Sequence, residues 1–225
     1  MTARHSFIAA LLGLIALVGP ALAEGDAALC ANAARTAEKT HQIPEGYLRA
    51  ISLVETNRGV AGEDSPWPWT VNVDGKGHWF DTRAAAENFV SAKEQAGVSS
   101  MDIGCFQINT RWHKAHFDDT ATMFDPATSA AYAADFLRSL KDQTGNWRGA
   151  VGRYHSRTPA FAERYGDKVM SALEVISAPS VERPVVKSVT LSRPTALRGG
   201  VALTMFESRA PLLDRSARRN ILIDP

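Results

Sequence analysis

Cys30 and Cys105 are the only cysteines in a chain of 225 residues, and whether they pair constrains the fold more than any other feature. The answer depends on compartment, and the first residues supply it. Arg4 and His5 make a basic start, Phe7 to Val18 is a short apolar run, and Ala21-Leu22-Ala23 is a small-x-small cleavage site. This reads as an export signal over residues 1–23. The rival reading, an uncleaved anchor, meets a chain in which no later stretch approaches the ~20 apolar residues of a membrane span. In an oxidising compartment an isolated cysteine pair forms a disulfide. A catalytic thiol would instead need a base partner and a reducing setting. Closing a loop of about 75 residues stabilises the fold by about 4 kcal/mol in the chain-entropy model. The bridge would tie the first helical segment to Gly104-Cys105-Phe106-Gln107.

About 200 mature residues suffice for one well-buried domain with something left over. The formal net charge of +1 gives no sign of nucleic-acid binding. From Asp26 to Thr40 the chain is alanine-rich and helix-favouring, and a helix opened by Pro44 in its first turn runs on to Glu55. Trp67 to Val73 alternates as a strand, Asp74-Gly75-Lys76-Gly77 is a turn, and His78-Trp79-Phe80 returns, a small hairpin with exposed aromatics. Helical period resumes from Thr82 to Gln95 with Gly97 as a stop. Further helices run from Asp125-Pro126 to near Gly145, from Trp147 to His155 and from Pro159 to Ile176. The fold class is therefore α+β, mostly α-helical.

Composition changes at Ala178. Scattered prolines, Gly199-Gly200 and eight Lys/Arg against four Asp/Glu mark a basic extension over residues 178–225. It reads as extended or disordered rather than as a second domain. The β-prone runs Val185 to Val189 and Val201 to Phe206 would suit docking on a partner.

Glu55 stands out for its placement. At about 100° per residue it points between Leu48 and Ile51, with Tyr47 and Val54 completing the apolar arc. A carboxyl group buried in such an arc would hold its proton more tightly, as a general acid must. The plain alternative is a solvated helix-end glutamate or a partner for Arg58.

Three segments carry more specific information: Leu53-Val54-Glu55-Thr56-Asn57, then Ile103-Gly104-Cys105-Phe106-Gln107-Ile108-Asn109, then Ala150-Val151-Gly152-Arg153-Tyr154-His155-Ser156. Their order and spacing, with Phe124-Asp125-Pro126 opening the helix between the last two, resemble the soluble lytic transglycosylase family, related to goose-type lysozyme. The resemblance covers about Cys30 to Ile176. Thr56 stands where the family usually has Ser, Cys105 where it has Leu, Phe106 where it has Met, and His155 where it has Asn. The long stretch from Gly59 to Met101 resembles the insertion of secretion-system and flagellum-associated members.

The resemblance implies a lysozyme-like catalytic domain over residues 24–177, acting in the periplasm on peptidoglycan glycan strands. Glu55 would be the catalytic acid and then base; Thr56, Gln107, Asn109, Tyr154 and His155 would contact substrate. No cofactor, no metal, no nucleic acid and no stable membrane insertion are expected. The extension would meet flagellar rod or secretion-system proteins. Glycoside hydrolysis ordinarily needs two carboxylates, whereas closing a 1,6-anhydro ring activates no water and needs only one. The alternatives are a lysozyme-type hydrolase and a non-catalytic peptidoglycan-binding adaptor working through its tail.

Other residues compete for roles. Asp102 would be the second carboxylate of a hydrolase, or a loop cap or ion-pair partner, and the latter fits better. Asp74 suits turn chemistry. His113 and His116 have a metal-ligand spacing but lack a third ligand, so they read as a surface pair. Trp67, Trp69 and Trp79 would either stack on sugars or pack the hairpin.

Overall fold

The computed structural model describes residues 20–60 and 63–178, with residues 20–24 as backbone only. Most of the expected export signal, and the basic extension beyond Ala178, lie outside the described residues. What is described is α+β and mostly helical, as the periodicity predicts.

Helix α1 (Pro20–Thr40) begins earlier than the expected Asp26. Its last turn organises the start of α2 (Tyr47–Thr56). The buried Glu38 carboxylate accepts from Gly46 N at 3.0 Å, Leu48 N at 2.7 Å and Arg49 N at 3.1 Å. These are the amide groups a helix start leaves without partners, and a carboxylate also suits the positive end of the helix dipole. Pro44 therefore stays outside the helix: the start is set by a tertiary cap, with Gly46 at φ 91°, rather than by proline at the first turn.

Strands β1 (Thr70–Val73) and β2 (Lys76–Trp79) form the expected hairpin around Asp74-Gly75. Two further strands of two residues each, β3 (Asp102–Ile103) and β4 (Ile108–Asn109), extend it into a sheet of order β2-β1-β3-β4, antiparallel throughout. Val71, Ile103 and Ile108 stand opposite one another and are buried, while Asn72, Asp102 and Asn109 form a polar row on the other face. The hairpin aromatics are not displayed to solvent. Trp67 and Trp69 are buried, their indole N–H groups donating to Phe80 O and Asp26 Oδ2, and half-buried Trp79 donates to Thr56 O.

Helix α3 (Arg83–Gln95) is capped by Thr82, and α4 (Thr110–His113) follows β4 directly. Helix α5 (Pro126–Thr144) starts where Asp125 Oδ1 accepts from Thr128 N at 2.8 Å and Pro126 fills the first position; Gly145 ends it. Helices α6 (Trp147–His155) and α7 (Pro159–Ser177) complete the chain. Helix α2 packs on α1 and α7, and α6 lies between α5 and α7. Leu48 and Ile51 of α2, Phe106, Leu137, Val151 and Val169 meet in the core.

Cys30 and Cys105 form a disulfide with Cα atoms 5.4 Å apart. It fastens α1 to the turn between β3 and β4. No helix among the described residues is long and apolar enough to cross a membrane.

Candidate functional site

Glu55 lies at the last turn of α2, half-buried rather than enclosed, although Leu48 and Ile51 beside it are fully buried. The Tyr165 hydroxyl from α7 donates to its Oε1 at 2.7 Å. Tyr165 is itself only 4 % exposed, so the bond is held by packing. Its other face carries the His155 ring, stacked at a centroid distance of 4.3 Å and an interplanar angle of 9°. Arg58 pairs with Asp81: its guanidinium donates to Asp81 Oδ1 at 2.6 Å and lies over the Trp67 ring.

The contact between α6 and α7 depends on Gly152. A Cβ there would stand 2.8 Å from Ala162 O, a backbone atom that cannot step aside. With hydrogen at this position the helices close together, and the turns carrying His155 and Tyr165 come into register.

The second motif forms the β3–β4 turn. Gly104 N donates to Thr70 O at 2.9 Å and Gln107 N to Gly104 O at 3.2 Å. Gly104 takes φ 74°, and a Cβ there would press on Met123 O at 3.0 Å, so glycine is required twice over. Gln107 also has positive φ, 47°, which disfavours a side chain. Its amide group offsets this by donating to Gly104 O at 3.1 Å and Thr70 O at 3.3 Å.

The third motif reaches that turn through Tyr154. Its hydroxyl donates to Phe106 O at 3.0 Å, and its ring packs on Phe136. Burial, then the charge of Glu55, then Tyr132 and Asp102, push the Tyr154 hydroxyl well above its ordinary pKa. Tyr154 thus remains a phenol, a donor fixed on the turn, and it feels the Glu55 charge.

The three motifs meet, but their side chains divide. Glu55 and His155 gather around Tyr165. Four residues expected to touch substrate are instead absorbed by the fold: Tyr154, 3 % exposed with its hydroxyl on Phe106 O, and three more. The Thr56 hydroxyl is buried, donating to Ser52 O and accepting from Trp67 N. Asn109 is 2 % exposed, its Oδ1 capping α4 through Arg111 N and its Nδ2 donating to Asp102 Oδ1 and Ser100 Oγ. Gln107 commits its N–H groups to the turn. Asp102 Oδ1 is the acceptor for Asn109 Nδ2 within the sheet. His113 is not a surface residue: it is buried among Tyr132 and Phe136, with Nδ1 2.6 Å from the Tyr132 hydroxyl. Among the described residues no group of three His, Cys, Asp or Glu is placed to hold a metal ion.

Tyr165 was not expected from sequence. In α7 it falls on the buried face like any core aromatic, and only the partner 110 residues away gives its hydroxyl a meaning. Comparison of the chain with family models, curated proteins and solved structures finds no match.

Proposed function

We propose that the protein is a peptidoglycan lytic transglycosylase, cleaving the β-1,4 bond between N-acetylmuramic acid and N-acetylglucosamine in the periplasm. The observation that carries this reading is the half-buried Glu55 carboxyl group, oriented by Tyr165 beside the stacked His155 ring. A group so held can meet a reacting atom in one fixed pose.

Glu55 would donate its proton to the bridging oxygen as the bond from muramyl C1 breaks. Its carboxylate would then take the proton of the muramyl C6 hydroxyl as that oxygen attacks C1. One C–O bond breaks, one forms, the proton passes through Glu55 and no water enters. One carboxylate suffices, which agrees with Asp102 being bonded to Asn109. The half-buried His155 would flank the sugar, while Tyr154 holds the Phe106 turn in place.

The test is mass spectrometry of sacculi digested by the wild type and by Glu55→Gln, which keeps size and removes the acid. The wild type should release anhydro-ended fragments, and the variant should be slower by about 10²- to 10⁴-fold. Products heavier by one water would assign a hydrolase instead. Undiminished turnover by the variant would reject Glu55.

A further inference from the structure

Between α4, α5 and the end of α6 lies a concavity of about 540 Å³. That falls within the range of small-molecule and peptide pockets. Its walls are of two kinds. His113, Tyr132 and Phe136 supply an aromatic surface, and the His113 and Tyr132 side chains are fixed to each other by a 2.6 Å hydrogen bond. Arg153 and Arg157 stand at the other side, exposed, and neither forms an ion pair among the described residues. Asp135 adds one carboxylate to the rim, where it faces His41.

Two guanidinium groups beside an aromatic wall recognise carboxylates carried on an apolar body: the fork pairs with the carboxylate in two directions while the rings cover carbon. One opposing carboxylate adds a place for an ammonium group. The cavity also has an address. Phe136 lines it, and Phe136 packs on Tyr154, whose neighbour His155 stacks on the Tyr165 that holds Glu55.

We infer that this cavity is a binding site for the peptide stem borne by the muramyl residues of the glycan strand, with stem carboxylates on Arg153 and Arg157 and a stem ammonium group toward Asp135. The inference rests on the proposed substrate, but its main test does not require turnover. The full chain is titrated with a free, unmodified stem tetrapeptide and followed by calorimetry. Binding should weaken about ten-fold or more in Arg153→Gln/Arg157→Gln, and equally for wild type given the peptide with its carboxyl groups amidated. Both arginines are exposed, and a far-UV circular dichroism spectrum and melting temperature equal to wild type confirm that the variant is folded. No binding by wild type, or equal binding by wild type and variant, overturns the inference.

A second measurement separates this inference from the reading of Glu55. The ratio of kcat/KM on peptide-bearing strands to that on strands stripped of peptide should fall in the double variant, a ratio that general damage would leave unmoved. Glu55→Gln should bind the tetrapeptide as wild type does. If it retains turnover, the proposed reaction fails while the peptide site stands.

Discussion

Tyr165 and Glu55, 110 residues apart, are joined by a 2.7 Å hydrogen bond from hydroxyl to carboxylate. It links the last helix of the domain to the end of α2 and sets Oε1 of Glu55 toward α7. The pose of the carboxyl group is thus a property of how α2 and α7 pack.

Tyr165→Phe removes the hydroxyl and keeps the ring under His155. Turnover should fall by about ten-fold or more, with most of the loss in kcat and little in KM, because orientation rather than binding is affected. Melting should shift only slightly, since one net hydrogen bond contributes about 1 kcal/mol. Steady-state kinetics on sacculi, paired with thermal unfolding, separates the two effects.

Gly152→Ala inserts a methyl group 2.8 Å from Ala162 O. Helix α7 must move off α6, at a cost of about 1–3 kcal/mol for overpacking, and Tyr165 moves with it. A variant that lost stability yet retained full turnover would show that the α6–α7 spacing does not govern the pose of Glu55.

Glu38→Ala takes the acceptor from three amide groups at the start of α2. Loss of a charged hydrogen-bond partner in a buried place should cost about 2–4 kcal/mol, and Glu38→Gln, which keeps one acceptor oxygen, should cost less. Urea midpoints for the two variants give the order directly.

Reduction or paired replacement of Cys30 and Cys105 reopens a loop spanning 75 positions. The chain-entropy model puts the loss at about 4 kcal/mol. Denaturant midpoints with and without reductant measure it, and a Cys30→Ala/Cys105→Ala variant should match the reduced wild type.

Acid should weaken the fold through His113. Burial, then the neighbouring His116 charge, lower its pKa below the ordinary value. As pH falls below about 6.5 the unfolded chain binds the proton first, so stability held at neutral pH is lost on acidification. His78, lowered by burial and then by Lys93 and Lys76, acts in the same sense. Urea midpoints between pH 7 and 5 should therefore fall, and His113→Gln should reduce the slope without abolishing it.

Local chemistry made the long helices readable. Asp125-Pro126 and Gly145 bracket α5, Thr82 and Gly97 bracket α3, and Pro159 opens α7, each through a signal carried by the chain itself. Where a boundary depends on a distant group, the same signals mislead: the start of α2 is set by Glu38 and not by Pro44. Strands β3 and β4 are too short to show alternation and exist only because β1 is beside them. The candidate site divides in the same way. The segments that meet were legible from their motifs, but whether a polar side chain faces a ligand or the frame was not. Gln107 and Asn109 are satisfied by groups of the assembled sheet, and Thr56 by Trp67 N ahead of β1, partners distant in sequence or set by the sheet's pairing.

The Cys30–Cys105 bond lies one residue from Phe106, the carbonyl on which Tyr154 rests. The turn on which Tyr154 rests is therefore backed by a covalent bond, whereas the α6–α7 contact that carries Tyr165 is held by packing alone. On the proposed reading, movement that would admit a glycan strand is expected at the α6–α7 contact, and not at the turn that the disulfide fastens to α1.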